Sequence, residues 1–509
     1  MRGEDRLPLS ILLAHGEKTD EPCLPVGVPA AALATAPRLE LRQENEALDF
    51  GNDAADPSSL PERRWGLVLP REESLRRALI AALQPLIEHR AAQVGYASAA
   101  ELLARDVFLV ESDPELSEQD AEQWYQLCYK QEGEHELLRR DPLERPDYLL
   151  LLGDFDLLSI ELQQALGMRA RTGRLAFQNL HDYEVYCQKV IRWEATRLEP
   201  RQPELLLISV RDRSPATEDG HLRLMAPCSN RFSQEVPKLA TIRQLCPDPS
   251  LQNPLTKEDF LAAAGSPSPT VMFSMSHGAS VRQTTKGAAE EQRHRQGSLC
   301  LPEKSYLEAS DVATSRFLPG GLWFYFACFG AGTPTRSVYQ FWLDRLAARG
   351  QYQRPAQALL DSLAPSPFVA ALPQAALANP EGPLAIIGHV DILWSYSYSR
   401  VGGPNGSQIA PFVQTLISLC KGSRAGHALF SLLEKFKLVQ HALVSLQDQI
   451  HEKESTSDIR ELTHLWLQRH DLLGFIHGVE AGAQHDEEHE RDNKSDGGFH
   501  RAAGTGVSC

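Results

Sequence analysis

Two side chains with the chemistry to open an acyl bond stand just past two apolar runs of this sequence. "VMFSMSHG" ends in His277-Gly278; Cys328 lies in "GLWFYFACFGAGT", with Gly330, Ala331 and Gly332 shortly after it. In an open parallel α/β sheet the carboxyl ends of neighbouring strands border one crevice, so residues just beyond two such strands can meet although they are distant in the chain. A cysteine attacks a carbonyl carbon as its thiolate, and an adjacent imidazole lowers the thiol pKa or takes its proton. A glycine after the histidine lets its backbone N–H approach a substrate carbonyl oxygen, and one such donor is typically worth about 10²–10³ in rate. The amide of Cys328 would be the second donor. The small residues Gly330, Ala331 and Gly332 are expected to leave the thiol open to a polypeptide.

Each residue alone has an ordinary explanation. A cysteine in an aromatic strand is usually a small buried hydrophobe, and a histidine is usually satisfied by its neighbours. Two strand ends in one α/β pattern, each with glycine close to the reactive residue, are what favour a thiol–imidazole pair. The glycines of "FGAGTPT" could instead suggest a nucleotide loop, but no lysine follows them as a phosphate-binding loop requires. The histidines of the C-terminal "HDEEHERD" lack metal-ligand spacing, and the thiol chemistry needs neither metal nor organic cofactor.

The order strand-His-Gly, loop, strand-Ala-Cys-x-Gly resembles the caspase clan of cysteine peptidases, closest to bacterial gingipain-like and CHAT-type members. The resemblance covers about residues 60 to 450 and includes "DYLLLLGDFDLLSIELQQAL", "GRLAFQNLHDYEVY", "RQGSLCLP", "FACFGAGTP", "PFVAALP" and "GPLAIIGHVDILWSYSYS". It implies a caspase-like α/β fold: a mostly parallel sheet flanked by helices, with a C-terminal helical hairpin. It also implies an endopeptidase acting on protein substrates, in which Cys328 is the nucleophile, His277 the catalytic histidine, and Gly278 with the Cys328 amide the oxyanion hole. In arginine-specific gingipains the loop after the matching first core strand carries the acid that binds the substrate's basic side chain. Asp154 and Asp156 are therefore the substrate-binding candidates, for Arg or Lys, because a carboxylate selects a guanidinium by paired, charge-assisted hydrogen bonds. A helix cap or a solvated turn acid is an equally good reading of either one alone. An intracellular peptidase needs restraint, so a latent form and an upstream activating protease in a bacterial signalling or defence cascade are expected. The alternative from another class is a catalytically silent caspase-like module that binds partners through its helical C-terminal part.

The elements that must position these residues alternate along the chain. "WGLVLP", Tyr148 to Leu152 and "ELLLISV" read as strands, and "REESLRRALIAALQPLIEHRAAQVG" spaces Leu75, Leu79, Leu83 and Leu86 along a helix interrupted by Pro85. "HDYEVYCQKVIRWEAT" and "SVYQFWLDRLAA" read as helices, and such alternation favours a parallel sheet with right-handed crossovers. "ASVRQTTKGAAEEQRHRQGS" reads as a polar lid or processing loop whose Arg282, Lys286, Arg293 or Arg295 would be cut on activation; the plainer reading is a solvated insertion. Gln353 to Pro380 reads as a Pro- and Ala-rich connector. His389 and Asp391 stand at a later strand end and could line the cleft.

These readings divide the chain into a partly ordered N-terminal extension (1–60), the α/β peptidase domain (61–410), a helical region packed on it (411–478) and a disordered charged tail (479–509). The 51 Lys and Arg against 67 Asp and Glu leave a formal charge of −16, which disfavours nonspecific nucleic-acid binding. Nine scattered cysteines without a C-x-x-C pair indicate neither a disulfide framework nor a zinc ribbon and fit a reducing cytoplasm. The N-terminus is a poor signal peptide, and no run is long enough for a membrane span.

Overall fold

The computed structural model describes residues 6–7, 11–14, 21, 23, 28–29, 56–110, 146–168, 170–196, 202–247, 254–283, 287–348, 353–399, 408–453, 459–476 and 479–480. The apolar runs become strands because they can be buried on both faces, as central strands of a parallel sheet must be. Tyr148–Leu152 and Leu322–Phe326 are buried at every position. The main sheet has ten strands in the order Val107–Val110, Trp65–Pro70, Tyr148–Leu152, Arg171–Leu175, Val479–Glu480, Ala385–Ile387, Leu322–Phe326, Thr270–Met275, Glu204–Ser209 and Thr241–Leu245. Every neighbouring pair is parallel except Ala385–Ile387 with Val479–Glu480. The fold class is thus α/β, a mostly parallel sheet flanked by helices. The segment expected as a tail begins instead with a strand: Val479–Glu480 lies inside the sheet. The histidine-bearing tail and the glycine turn after residue 400 lie outside the described residues.

Helices cover the sheet. Glu73–Val94 packs on Leu180–Ala195. Pro85 does not interrupt the first of these, which runs on to a left-handed Gly95. On the face bearing Phe273, Phe324 and Phe326, helix Ala410–Cys420 lays Phe412 parallel to Phe273 and Phe324, with ring centroids 6.4 and 6.0 Å away. Phe475, from the second member of the pair Phe430–Lys453 and Ile459–Ile476, meets Phe326 at 5.2 Å. The C-terminal helical region therefore packs directly beneath the strands that carry His277 and Cys328.

Two sequence readings need correction. The connector from Gln353 to Pro380 contains helices Gln353–Leu360 and Ala371–Ala378 with strand Phe368–Val369 between them. Ala and Leu favour helix, and Pro355 and Pro373 fall in the first turn, where no intrahelical N–H is needed. The polar segment expected as a loop holds helix Ala288–Arg295, entered through Gly287 at φ 91°. Arg293 and Arg295 are consequently helical; Lys286 lies outside the described residues. Among the described residues no helix is long and apolar enough to cross a membrane.

Because Phe412 touches three aromatic rings of the two site-bearing strands, Phe412→Ala is expected to destabilise the fold by about 3–5 kcal/mol, measured by denaturant unfolding.

Candidate active site

Strand register brings the candidate residues together. Parallel pairing sets Met275 opposite both Phe326 and Ser209, so three segments leave the sheet at one level. Two residues further along their own strands stand His277 and Cys328, on chains about 4.8 Å apart in such a sheet. Their backbones are in contact. A Cβ built on Gly278 would lie 1.9 Å from the Cys328 carbonyl oxygen and 3.1 Å from its amide nitrogen, so only glycine fits there. The two expected oxyanion donors are therefore neighbours. The turn after the cysteine is unusual as well: Phe329 has φ 54°, and its N–H donates at 2.8 Å to the carbonyl of Asp391, itself at φ 80°. Non-glycine residues in this left-handed region cost roughly 1–3 kcal/mol each and persist where surrounding structure holds them.

His277 is fully buried and anchored on one side. Its Nε2 lies 2.7 Å from Ser214 Oγ and 3.5 Å from Asp212 Oδ2. Asp212 and Ser214 lie on the turn beyond strand Glu204–Ser209, where Ser214 caps helix Pro215–Gly220. Thr217 Oγ1 donates at 2.6 Å to Asp212 Oδ1, and the Ser214 N–H donates to the same oxygen at 3.0 Å. Burial raises the Asp212 pKa, but the imidazole and the Thr217 and Ser214 hydrogen bonds outweigh it and leave the carboxyl lowered. Burial lowers the His277 pKa below the ordinary 6.5, and Asp212 opposes that shift. The other nitrogen, Nδ1, makes no hydrogen bond. The sequence pattern alone did not single out Asp212 or Ser214. The only local signal was a Ser-Pro helix start directly after a strand end.

Cys328 sits beside this group but its thiol is closed off. The residue has 0% exposure; Sγ accepts the Leu393 N–H at 3.1 Å, and the thiol donates to the Leu393 carbonyl at 3.4 Å. No hydrogen bond joins the thiol to the imidazole. Burial drives the thiol pKa well above the ordinary value; the Leu393 N–H lowers it in part, and Asp471 and Asp391 raise it further. The expectation that Gly330, Ala331 and Gly332 keep the thiol open is corrected. All three are buried, and a side chain at Gly332 would strike the Phe155 ring at 2.5 Å and the Phe368 carbonyl at 2.8 Å. They are small because chain segments pack there.

The covering segment is built around two buried carboxylates. Asp391 accepts from Ile392 N, Ser337 Oγ and Val338 N, whereas Asp471 accepts from Trp394 N and Ser397 N at 2.7 and 2.8 Å. His389 is buried, with its ring nitrogens on the carbonyls of Asp391 and Asp471, so it braces this segment and does not line a cleft.

Asp154 and Asp156 follow strand Tyr148–Leu152 at the same edge of the sheet. Asp154 Oδ1 accepts from Phe155 N and Val369 N, at 2.7 and 2.6 Å, tying the loop to the strand beside Gly332. Burial raises its pKa to about 6, against those two hydrogen bonds. Its Oδ2 lies 3.8 Å from the Arg293 guanidinium, which also stands over the Phe368 ring at 5.2 Å. Asp156 is half-buried. The loop is shaped by Arg174, whose guanidinium donates to the carbonyls of Gly153 and Leu158 and to Gln163 Oε1. Among the described residues no cluster of His, Cys, Asp and Glu is placed to hold a metal ion.

The unfolded imidazole protonates near 6.5 and the folded one only at lower pH, so through this group stability is lost as pH falls below 6.5. Asp212→Asn removes the anion that favours the imidazolium. The His277 titration midpoint, followed by NMR of the ring nitrogens, is expected below 6.5 in the native protein and lower still in the variant.

No known family profile and no curated protein matches this chain. Among solved structures it is similar to one described as a protease, at 14% identity, covering 75% of this chain and 73% of that one, with a TM-score of 0.42. It is also similar to the Arg-specific cysteine proteinase gingipain R (RgpB), at 11% identity, 83% and 78% coverage and a TM-score of 0.41. The complex of the Porphyromonas gingivalis RgpB pro- and mature domains is similar at 10% identity, with 82% and 78% coverage and a TM-score of 0.41.

Proposed function

We propose that this chain is a caspase-like cysteine endopeptidase held in a latent state, hydrolysing peptide bonds in protein substrates after Arg or Lys. The observation that carries this reading is the register-matched placement of His277-Gly278 against Cys328, with the imidazole already held by Asp212 and Ser214. The two left-handed residues Phe329 and Asp391, adjoining the cysteine, add to it.

In the open state Cys328 loses its proton to His277, and Sγ attacks the scissile carbonyl carbon. The carbonyl oxygen, now an oxyanion, is held by the N–H groups of Gly278 and Cys328. His277 returns its proton to the leaving amine, and the acyl thioester remains. Water, deprotonated by the same imidazole, then releases the acid and restores the thiol. Asp212 stabilises the imidazolium in both steps, and Ser214 keeps the ring oriented. Asp154 and Asp156 would bind the basic side chain; the approach of Arg293 to Asp154 supports a carboxylate there that accepts a guanidinium. Protein substrates, an upstream activating protease and a reducing cytoplasm are parts of the same proposal, as is a role in a bacterial signalling or defence cascade.

A second reading has an observation in its favour. The thiol is sealed and bonded to Leu393 in both directions, as in a catalytically silent module that only binds partners. Cleavage of a mixed peptide library, before and after limited proteolysis, separates the two. The peptidase cuts after Arg or Lys, and Cys328→Ala lowers the rate by about 10³ or more. Asp154→Asn or Asp156→Asn should lower kcat/KM on Arg substrates by about 10- to 100-fold, the loss of a hydrogen bond to a charged group. Absence of Cys328-dependent cutting under every condition selects the silent module, and cuts after acidic or apolar residues reject the pocket assignment.

A further inference from the structure

The Gly278 N–H, the expected oxyanion donor, is already occupied. It donates at 2.8 Å to the carbonyl of Leu12, which belongs to a segment remote in sequence. Strand Leu13–Ala14 pairs in parallel with Gly278–Ala279 and forms the edge of a small sheet completed by Leu299–Leu301 and Ser305–Leu307. The same segment also binds the cover of the thiol: the Leu12 N–H donates to the Leu393 carbonyl at 3.1 Å, and Ile11 bridges Trp394 in antiparallel fashion. Ile11, Leu12 and Leu13 are buried to 1%, 1% and 0% exposure. The Leu12 carbonyl is also close enough to the His277 ring to favour its protonated form, although Nδ1 makes no hydrogen bond.

An extended peptide with one carbonyl on Gly278 N–H and beside His277 is engaged as a substrate strand would be. Adding a strand to an open sheet edge is a general mode of peptide recognition: main-chain hydrogen bonds hold the peptide and side-chain pockets choose it. We infer that the edge formed by Gly278–Ala279 and Leu393 is a peptide-binding site for extended apolar segments, and that Ile11–Ala14 is its resident internal blocker. This inference rests on the peptidase reading for its purpose, though not for its geometry. Release of the segment frees the Gly278 N–H and removes the Leu12 and Ile11 contacts that hold Leu393 and Trp394 over the thiol. The same edge then accepts a peptide from another chain.

The test uses the full-length protein carrying Leu12→Asp with Leu13→Asp, which places two charges in a buried site. Iodoacetamide alkylation is followed at each cysteine by mass spectrometry. Cys328 is expected to label about tenfold faster or more than in the native protein, as local opening becomes easier. Cys187 and Cys228, buried elsewhere, should keep their native rates and so report that the fold is intact. A peptide with the sequence of residues 9–15, LSILLAH, should restore protection, and its scrambled form should not. Leu12→Pro, which removes the N–H bound to Leu393 together with the buried leucine side chain and restricts Ile11 before it, provides a second, uncharged opening variant if the charged one does not fold. The inference is overturned if Cys328 stays sealed in the folded variants, if it labels only in step with Cys187 and Cys228, or if the peptide gives no protection. Adding His277→Ala to the open variant separates this idea from the peptidase reading. An open, peptide-protected thiol whose labelling and pH dependence ignore His277 leaves the blocker standing and removes the dyad.

Discussion

The parallel register between Thr270–Met275 and Leu322–Phe326 is the constraint on which the rest depends. Neither His277 nor Cys328 lies within the paired residues; each follows two positions after its strand, so both inherit their level from the backbone ladder. A slip of one residue would turn every side chain of one strand to the opposite face of the sheet. Phe273, Phe324 and Phe326 resist that slip because they fill one aromatic cluster with Phe412 and Phe475. Trp323 resists it from the other face, where its indole N–H donates to Ser274 Oγ at 2.8 Å. Core packing far below the site thus sets the meeting of an imidazole and a cysteine backbone at its rim.

What the register brings together, two further segments close. The stretch from Asp391 to Ser397 lies over the sulfur, held from beneath by the carboxylates of Asp391 and Asp471. The segment Ile11–Ala14 lies on that stretch and on Gly278 at once. A thiolate is disfavoured under such cover, because charge without water or a positive partner is costly in an apolar interior. The neighbouring carboxylates add to that cost. The closed arrangement is therefore chemically quiet for a clear electrostatic reason, while the imidazole is already held by Asp212 and Ser214.

The sequence was most legible where local pattern and burial coincide. Uninterrupted apolar runs such as "YLLLL" and "LWFYF" could hardly be anything but central strands, and the alternation with helical stretches indicated a parallel sheet. Reading failed where composition resembled a loop. The Ala-rich, Pro-containing stretches after Gln353 form helices because their prolines fall in the first turn, and the polar "AAEEQRHR" winds into a helix supported by ion pairs such as Glu291 with Arg295. The glycines after Cys328 suggested access, yet Gly332 answers to close approach by Phe155 and Phe368, residues distant in the chain, and Gly330 to the Tyr325 ring.

The sequence by itself determined the most apolar strands, among them Trp65–Pro70, Tyr148–Leu152, Glu204–Ser209, Thr270–Met275 and Leu322–Phe326, several long helices, and that His277 and Cys328 would stand at strand ends, because each of these follows from a few neighbouring residues and their hydrophobic period. Only the tertiary structure decided that Asp212 and Ser214 face the imidazole, that Arg174 braces the loop of Asp154, and that Leu393 and Leu12 lie over the cysteine and Gly278. Those contacts join segments between about 20 and more than 250 residues apart in the chain. Their partners are chosen by strand order and chain crossing, which no local spacing encodes.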